Sequence, residues 1–337
     1  MNKKFNIAVV GATGNVGRRI ISILAERDFP VQSLKAYASR ASSGKKISFG
    51  DNTITVEALE NANFKDIDIV FSCVSSSIVH SFYNKAIEAG AIIIDKSSLF
   101  RMDNDVPLIV PEVNEHLLDK IPERKIIASP NCCVIPLVVG LSAFENYAKI
   151  NRVILSTFQS VSGAGKEFMD ELYEQTKSTF LPTKLDSKKF ERQIAFNVIP
   201  KIDSFNENFD TKEEEKIIEE TKKILGNHIN VSATCVRVPV FVGHSISLNI
   251  EFDKHISRLE AEEILQEAEG VNLISQDGDM KYITPVEVAG EDLVYISRVR
   301  EDLSRPNCLN MWISCDNLRK GAATNAVQIA EILARKF

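Results

Sequence analysis

No apolar run in these 337 residues is long enough to cross a bilayer, which excludes a helical membrane span. There is no basic surplus either. Lys and Arg total 40 against 46 Asp and Glu, a formal charge of −6, so no cationic face is offered to nucleic acid. Lysine pairs such as Lys45-Lys46 and Lys222-Lys223 read as solvated surface. The six cysteines form no CxxC pair, so the ligand spacing of a structural zinc site is missing and no metal is expected. They also lack the regular spacing of a disulfide framework, and reduced thiols in a cytoplasm are expected. Lys3-Lys4 runs directly into the strand-like Phe5–Val10, so no secretory signal is expected. Internal repeats and low-complexity segments are absent.

What is there is a hydrophobic content of 44%, enough for a full core and, at this length, for two domains. The first stretch alternates strand-like runs (Ile7–Val10, Leu34–Ala38, Ile67–Val74, Ala91–Asp95) with helical ones (Val16–Arg27, Ser77–Ala89). That alternation predicts a parallel, doubly wound sheet. After residue 150 the runs lengthen and alternate: Arg152–Val161, Val231–Val240, Ser245–Phe252, Val294–Val299 and Leu309–Ser314. They predict a mostly antiparallel sheet with one solvated or interface face. The tract from Ser178 to Asn208 lacks a period and reads as a lid or a subunit-contact excursion. Asp316–Lys336 reads as a closing helix. The expected class is α/β: a Rossmann-type parallel nucleotide-binding domain over residues 1–130, with helix 317–337 packed back on it, and an α+β catalytic and dimerisation domain over 131–316.

Two segments carry most of the chemistry. Pro130-Asn131-Cys132-Cys133 directly precedes the apolar run Val134–Val139, placing Cys132 at the mouth of a helix N-terminus. Unpaired N–H groups and the positive dipole end there favour thiolate and an oxyanion formed by its attack on a carbonyl. Read alone, Cys132 is more often a small buried hydrophobe, as most free cysteines are. Gly11-Ala12-Thr13-Gly14-Asn15-Val16-Gly17 follows a strand and opens a helix, the context of a dinucleotide fingerprint. Gly11 permits the turn, Gly14 admits the pyrophosphate, and Gly17 lets helix and strand approach.

The loop after the second strand, Ser39-Arg40-Ala41-Ser42, carries hydroxyls and a guanidinium but no acid to hold a ribose 2′-hydroxyl, which favours NADP. Downstream, Arg237 can clamp a carboxylate bidentately. His244, after Gly243, is of the type that serves a Cys nucleophile as base. Gln159 to Gly165 leaves a strand into a glycine-rich turn suited to a nicotinamide, and Thr211 N-caps a helix that carries Glu213 and Lys216.

Together these segments, with Ser98-Leu99-Phe100-Arg101-Met102-Asp103, Val110-Pro111-Glu112-Val113-Asn114 and Asn317 to Asn325, closely resemble the aspartate-β-semialdehyde dehydrogenases over nearly the whole chain. The resemblance implies NADPH-dependent reductive dephosphorylation of aspartyl phosphate to aspartate semialdehyde with release of phosphate, on the route to lysine, diaminopimelate, methionine and threonine, and a cytoplasmic homodimer. It implies Cys132 as nucleophile, His244 as acid/base and Gln159 orienting the acyl intermediate. Arg237 and Glu213 would hold the carboxylate and amino groups, and Arg101, Asn131 and Lys216 the phosphate. Cofactor contacts are expected at Gly11, Thr13, Gly14, Asn15, Val16, Gly17, Ser39, Arg40, Ser42, Ser162, Gly163 and Asn325.

Two departures stand out. Relatives commonly read Ala-Ser-x-Arg-Ser-x-Gly at the nucleotide loop, which puts arginine at 41 where this chain has Ala41, with Arg40 one place earlier; NAD or mixed use stays open. The residue after the nucleophile, usually Ser, Ala or Val, is Cys133, expected to be a packing residue. Among rivals, N-acetyl-γ-glutamyl-phosphate reductase has a nucleophile motif resembling Gly-Cys-Tyr-Pro-Thr, unlike Asn131-Cys132-Cys133. An inactive dinucleotide-binding regulator is opposed by the full set of catalytic residue types. An acyl-CoA reductase would need CoA in place of phosphate.

Overall fold

The computed structural model describes residues 3–180, 189–275 and 277–336. They divide into two compact units: one runs to Asn131 and resumes at Ala322, the other is Cys132–Gly321.

The first unit is built on a seven-stranded sheet of β1 (Phe5–Val10), β2 (Val31–Ala38), β3 (Lys46–Phe49), β4 (Asn52–Ala58), β5 (Ile69–Ser72), β6 (Ile92–Asp95) and β7 (Ile126–Ala128). Their order is β3-β4-β2-β1-β5-β6-β7. Every pair is parallel except β3 with β4. Every residue of β5, β6 and β7 is buried, as strands covered on both faces require. One layer of that cover is the Asn15–Glu26 helix, whose Ile20, Ile21, Ile23 and Leu24 share a core with Ala326, Val327, Ile329, Ala330 and Leu333 of the Thr324–Lys336 helix. The expected helix Ser77–Ala89 is instead two, Ser76–His80 and Tyr83–Glu88. The break lets Ser81 Oγ donate to the Ile78 carbonyl at 2.7 Å and brings Phe82 to stack on Phe64.

In the second unit β8 (Ile150–Gln159), β9 (Asn230–Arg237), β10 (His244–Phe252), β11 (Val271–Ile274), β12 (Val294–Glu301) and β13 (Cys308–Cys315) form a sheet ordered β11-β12-β13-β10-β8-β9. The three central pairings are antiparallel and the two outer ones parallel. The mostly antiparallel expectation holds, although the parallel edges were not legible. Register places the site: Gln159 ends β8 opposite Arg237 at the end of β9, and antiparallel β10 begins at His244, with Ser245 opposite Phe158. One end of the sheet thus collects all three. The chain leaves β9 at Arg237 rather than Val240 because Pro239 has no N–H to donate and Gly243 turns with φ +93°.

Of the Ser178–Asn208 tract, residues 181–188 lie outside the described residues. The rest is tied down in part, with Gln175 Oε1 accepting from the Ile194 and Ala195 N–H groups.

The closing helix starts at Thr324, after a π-helical turn over Arg319–Ala323, and the units change at Gly321/Ala322 rather than ahead of residue 317. Asp316 is the physical reason. Its carboxylate accepts the N–H groups of Gly290, Leu318 and Arg319, and Arg319 forks onto Asp292 at 2.8 and 3.0 Å. Both interactions hold residues 316–319 to the second unit.

Candidate active site

Cys132 is half-buried and Cys133, the N-cap of the Val134–Ser142 helix, fully buried. No side chain caps that helix, so its first N–H groups present the anion-favouring end that the sequence predicts. Burial pushes the Cys133 thiol well above its ordinary value, reinforced by its hydrogen bond with Cys132 and by the nearby Glu213 carboxylate. Gly321 lies against Cys132; a Cβ there would stand 3.1 Å from the Cys132 carbonyl oxygen.

Around the cysteines, buried polar side chains form a connected set. Gln159 Oε1 accepts from Thr157 Oγ1 at 3.0 Å, which leaves Nε2 to donate to Glu213 Oε1 at 3.1 Å. Lys216 Nζ bridges Glu213 Oε2 at 3.3 Å and Asp203 Oδ2 at 3.0 Å. Burial works against the Lys216 charge, but the two carboxylates hold its ammonium above the ordinary range. Glu214 is occupied elsewhere: it closes the capping box with Thr211 and takes the Cys235 N–H at 2.8 Å, while Glu215 faces solvent. The helix register therefore turns Glu213 and Lys216 inward together, three residues apart. Arg237, 7% exposed, donates from Nη1 to the Ser160 carbonyl at 2.8 Å. Burial draws this guanidinium below its ordinary value, with Glu213 as its main opposing carboxylate.

His244 is 2% exposed. Its Nδ1 accepts the Ser160 backbone N–H at 3.0 Å, whereas Nε2 has no hydrogen-bond partner among the described residues. A Cβ on Gly163 would stand 3.1 Å from that Nε2.

The first unit holds a separate polar constellation. Arg101 donates to the carbonyls of Ser129 (3.1 Å) and Lys96 (2.7 Å), and Lys96 Nζ to Ser129 Oγ at 2.9 Å. Asn325 Nδ2 donates to Ser129 Oγ and the Ile109 carbonyl, both at 3.0 Å, and its buried Oδ1 has no partner among the described residues. Asn131 is buried. Beyond the C-terminal ends of β1 and β2 a cavity of about 440 Å³ is lined by Gly11, Thr13, Ser39, Arg40, Phe64 and Ile78, among others. Gly11 has φ +86°, and a Cβ on Gly17 would fall 2.2 Å from the Gly11 carbonyl oxygen, so neither position admits a side chain. Gly14 caps the Asn15–Glu26 helix without a side-chain acceptor for its first N–H groups. Arg40 opens a short 3₁₀ turn beside Ser42, whose Oγ is 3.5 Å from Thr13 Oγ1.

Comparison with known proteins gives two family models, the semialdehyde dehydrogenase NAD binding domain over residues 6–121 and its dimerisation domain over 141–320. Aspartate-semialdehyde dehydrogenase of Rickettsia conorii is 55% identical over the full length of both chains. The chain belongs to the aspartate-semialdehyde dehydrogenase family. A solved structure of aspartate semialdehyde dehydrogenase II from Vibrio cholerae, complexed with ASA, matches with TM-score 0.96 and 41% identity over 99% of each chain. That of Candida albicans with NADP matches with TM-score 0.76 and 25% identity over 98% of each.

As in this dehydrogenase family, the first unit is a nucleotide-binding domain. It holds Gly11 to Gly17, Ser39, Arg40, Ser42, Arg101, Asn131 and Asn325; the second holds Cys132, Gln159, Ser162, Gly163, Glu213, Lys216, Arg237 and His244. Two expected cofactor contacts have other neighbours here. Ser162 Oγ pairs with Asn317, and Gly163 lies on the His244 ring.

Sequence reading singled out neither Ser160, Asn317 nor Lys96 for the site; they bond to its members through backbone or amide groups, which leave no compositional trace. It also expected no metal ligands, yet Cys132, Cys133 and His244 offer three ligand atoms within 4.8 Å of one another. A nitrogen ligand must present a lone pair, however, and the Nδ1 lone pair is taken by the Ser160 backbone N–H.

Proposed function

We propose that this chain reduces L-4-aspartyl phosphate to L-aspartate 4-semialdehyde with release of phosphate, using NADPH and a thioester on Cys132. The observation that supports it is one buried corner of the second unit in which a cysteine at an uncapped helix start meets His244, Gln159, Arg237 and Glu213. The Cys132 sulfur attacks the acyl carbon, a C–S bond forms, the C–O bond to phosphate breaks, and phosphate leaves with the electron pair. The N–H groups at the start of the Val134–Ser142 helix stabilise the oxygen that becomes charged. Gln159 orients the acyl group, Arg237 holds the α-carboxylate and Glu213 the α-amino group; Arg101, Asn131 and Lys216 bind phosphate. His244 is the acid/base: it takes the Cys132 thiol proton as the sulfur attacks and assists release of the aldehyde and free thiol.

NADPH, when bound, supplies the hydride that takes the thioester to the aldehyde level. The residues present fit it: the side-chain-free glycine turn and open helix start suit a pyrophosphate, the orphaned Asn325 Oδ1 suits a carboxamide N–H₂, and Arg40 with Ser39 and Ser42 suits a 2′-phosphate. The reaction belongs to lysine, diaminopimelate, methionine and threonine biosynthesis, carried out by a cytoplasmic homodimer. The deciding experiment follows reduction of NADP and of NAD by the purified protein with aspartate semialdehyde, with and without phosphate. Fast turnover requiring phosphate and favouring NADP is expected. Absence of turnover with both cofactors sinks the reading.

A further inference from the structure

Register along the first sheet sets four residues in a row at its C-terminal edge. Val10 of β1 lies opposite Ser72 of β5, Ser72 opposite Asp95 of β6, and Asp95 opposite Ala128 of β7. The next residue of each strand follows in the order Gly11, Cys73, Lys96, Ser129. Backbone bonds keep the row continuous: Cys73 N–H donates to Val10 at 2.9 Å, Lys96 to Ser72 at 3.0 Å and Ser129 to Asp95 at 2.8 Å. Gly11 opens the glycine turn, and Ser129 Oγ accepts from Asn325 Nδ2. Dinucleotides lie outside the C-terminal ends of parallel strands. The path from a pyrophosphate at Gly11 to a nicotinamide at Asn325 therefore runs past Cys73 and Lys96. Lys96 is the one cation in the row, and no role above uses its ammonium.

The structure fixes where that ammonium stands. Nζ donates at 2.9 Å to the hydroxyl of Ser129, which is fully buried. The same oxygen takes the Asn325 amide at 3.0 Å, so its two lone pairs hold ammonium and amide side by side. The other Asn325 N–H goes to the Ile109 carbonyl, which leaves Oδ1 as the end of the amide able to accept. On the opposite side the Lys96 charge reaches Cys73, where it works against the burial that pushes the thiol up to about 12.

We infer that Lys96 is a further cofactor-binding residue that discriminates between the two oxidation states of the nicotinamide: its ammonium, one hydroxyl away from Asn325, favours the neutral reduced ring over the pyridinium cation of the oxidised one. The inference rests on the proposed use of a nicotinamide cofactor with its carboxamide at Asn325. The two forms share their phosphates, riboses and carboxamide and differ by one positive charge on the ring. A cation held beside that ring acts on the difference, whereas its attraction for the pyrophosphate is common to both. Lys96 thus promotes loading of the reduced form and release of the oxidised one, the sense that the reductive direction requires.

Equilibrium binding tests it without turnover. Dissociation constants for NADPH, by its fluorescence, and for NADP⁺, by calorimetry, are compared in the unmodified protein and in three variants. Lys96→Met removes charge and hydrogen bond together, Lys96→Gln keeps a donor for Ser129, and Lys96→Arg keeps the charge. In both neutral variants the ratio of the NADP⁺ Kd to the NADPH Kd should fall about 3- to 10-fold, and Lys96→Arg should hold the ratio of the unmodified protein. Should the chain prefer NAD, the same ratio is read with NADH and NAD⁺. A ratio unmoved in both neutral variants overturns the inference, including the case in which both forms bind more weakly in equal proportion, as a merely structural role would give. A Lys96→Arg ratio that matches the neutral variants overturns it too. Because no aspartate semialdehyde is present, the expected ratios in a protein without turnover would refute only the proposed reaction. Turnover with an unmoved ratio would refute only this inference, and failure of the unmodified protein to bind either cofactor pair would overturn both.

Discussion

The amide of Gln159 points its N–H₂ at Glu213, 54 positions later in the chain, at 3.1 Å. Thr157 fixes which end of the amide does so, since its hydroxyl donates to Gln159 Oε1. Glu213 is thereby held by Gln159 on one oxygen and Lys216 on the other. Glu213→Gln keeps the shape but removes the charge that supports Lys216, and kcat/KM for aspartate semialdehyde should fall about 10- to 100-fold, mostly through KM. Because Gln159 and Glu213 share a bond, the losses in Gln159→Leu and Glu213→Gln should be markedly non-additive in the double variant. Additive losses would mean the two act on separate parts of the substrate.

The adjacent cysteines should separate chemically. Cys132→Ala is expected to drop turnover to background while cofactor binding, followed by fluorescence, stays unchanged. Cys133→Ser should retain most turnover, since Cys133 is buried and its thiol is held protonated by that burial. Mass spectrometry after brief iodoacetamide treatment at pH 8 should find the label on Cys132. Label chiefly on Cys133 would reverse the roles.

Much of this was legible from residue order, and the exceptions have physical causes. Strands covered on both faces announce themselves as apolar runs, which is how Ile92–Asp95 and Ile69–Ser72 were found. The glycine turn declared itself because Gly11 and Gly17 have no steric alternative. By contrast the edge strand β3 and its neighbour β4 carry Lys46, Ser48, Asn52 and Thr53 and give no such signal. The register of Glu213 among three consecutive glutamates had to wait for the capping box that consumes Glu214. The His244 environment was invisible because backbone N–H groups build it. The end of the first unit also depended on a side chain, Asp316, whose bonds are to backbone.

Asp95 makes a prediction about stability. It ends β6 with no exposed surface, and burial raises its carboxyl above the ordinary value, against the hydrogen bond from Ser97 and the Arg101 charge. A folded-state value above the unfolded one means the folded protein keeps this proton to higher pH. The stabilising contribution is complete below the ordinary carboxyl value near 3.8 and is lost as pH rises through the folded value. Asp95→Asn keeps an acceptor for Ser97 and removes the titration. Urea unfolding should show the variant more stable than the unmodified protein at pH 7, on the order of 1 kcal/mol, with the gap closing towards pH 4. A gap that widens on acidification would show that the carboxylate is instead stabilised in the fold.

The nucleotide loop carries the sharpest test of the cofactor. In this chain the guanidinium belongs to Arg40, at the first position of a 3₁₀ turn rather than at 41, and Arg40 lines the cavity with Ser39. Lys45 Nζ reaches to 3.5 Å from Ser42 Oγ, so a second cation stands at the same turn. A 2′-phosphate carries about two negative charges, and an arginine fork on it contributes roughly 1.5–3 kcal/mol as charge-assisted hydrogen bonds. Arg40→Ala should therefore lower kcat/KM for NADP on the order of 10- to 100-fold and leave that for NAD within about 3-fold. Lys45→Ala should act in the same direction by less, because an exposed point charge is screened by salt. The two effects should also shrink as ionic strength rises. An unchanged NADP-to-NAD ratio in both variants would show that this loop does not select the cofactor, and the missing arginine at 41 would then mark a chain that accepts either one.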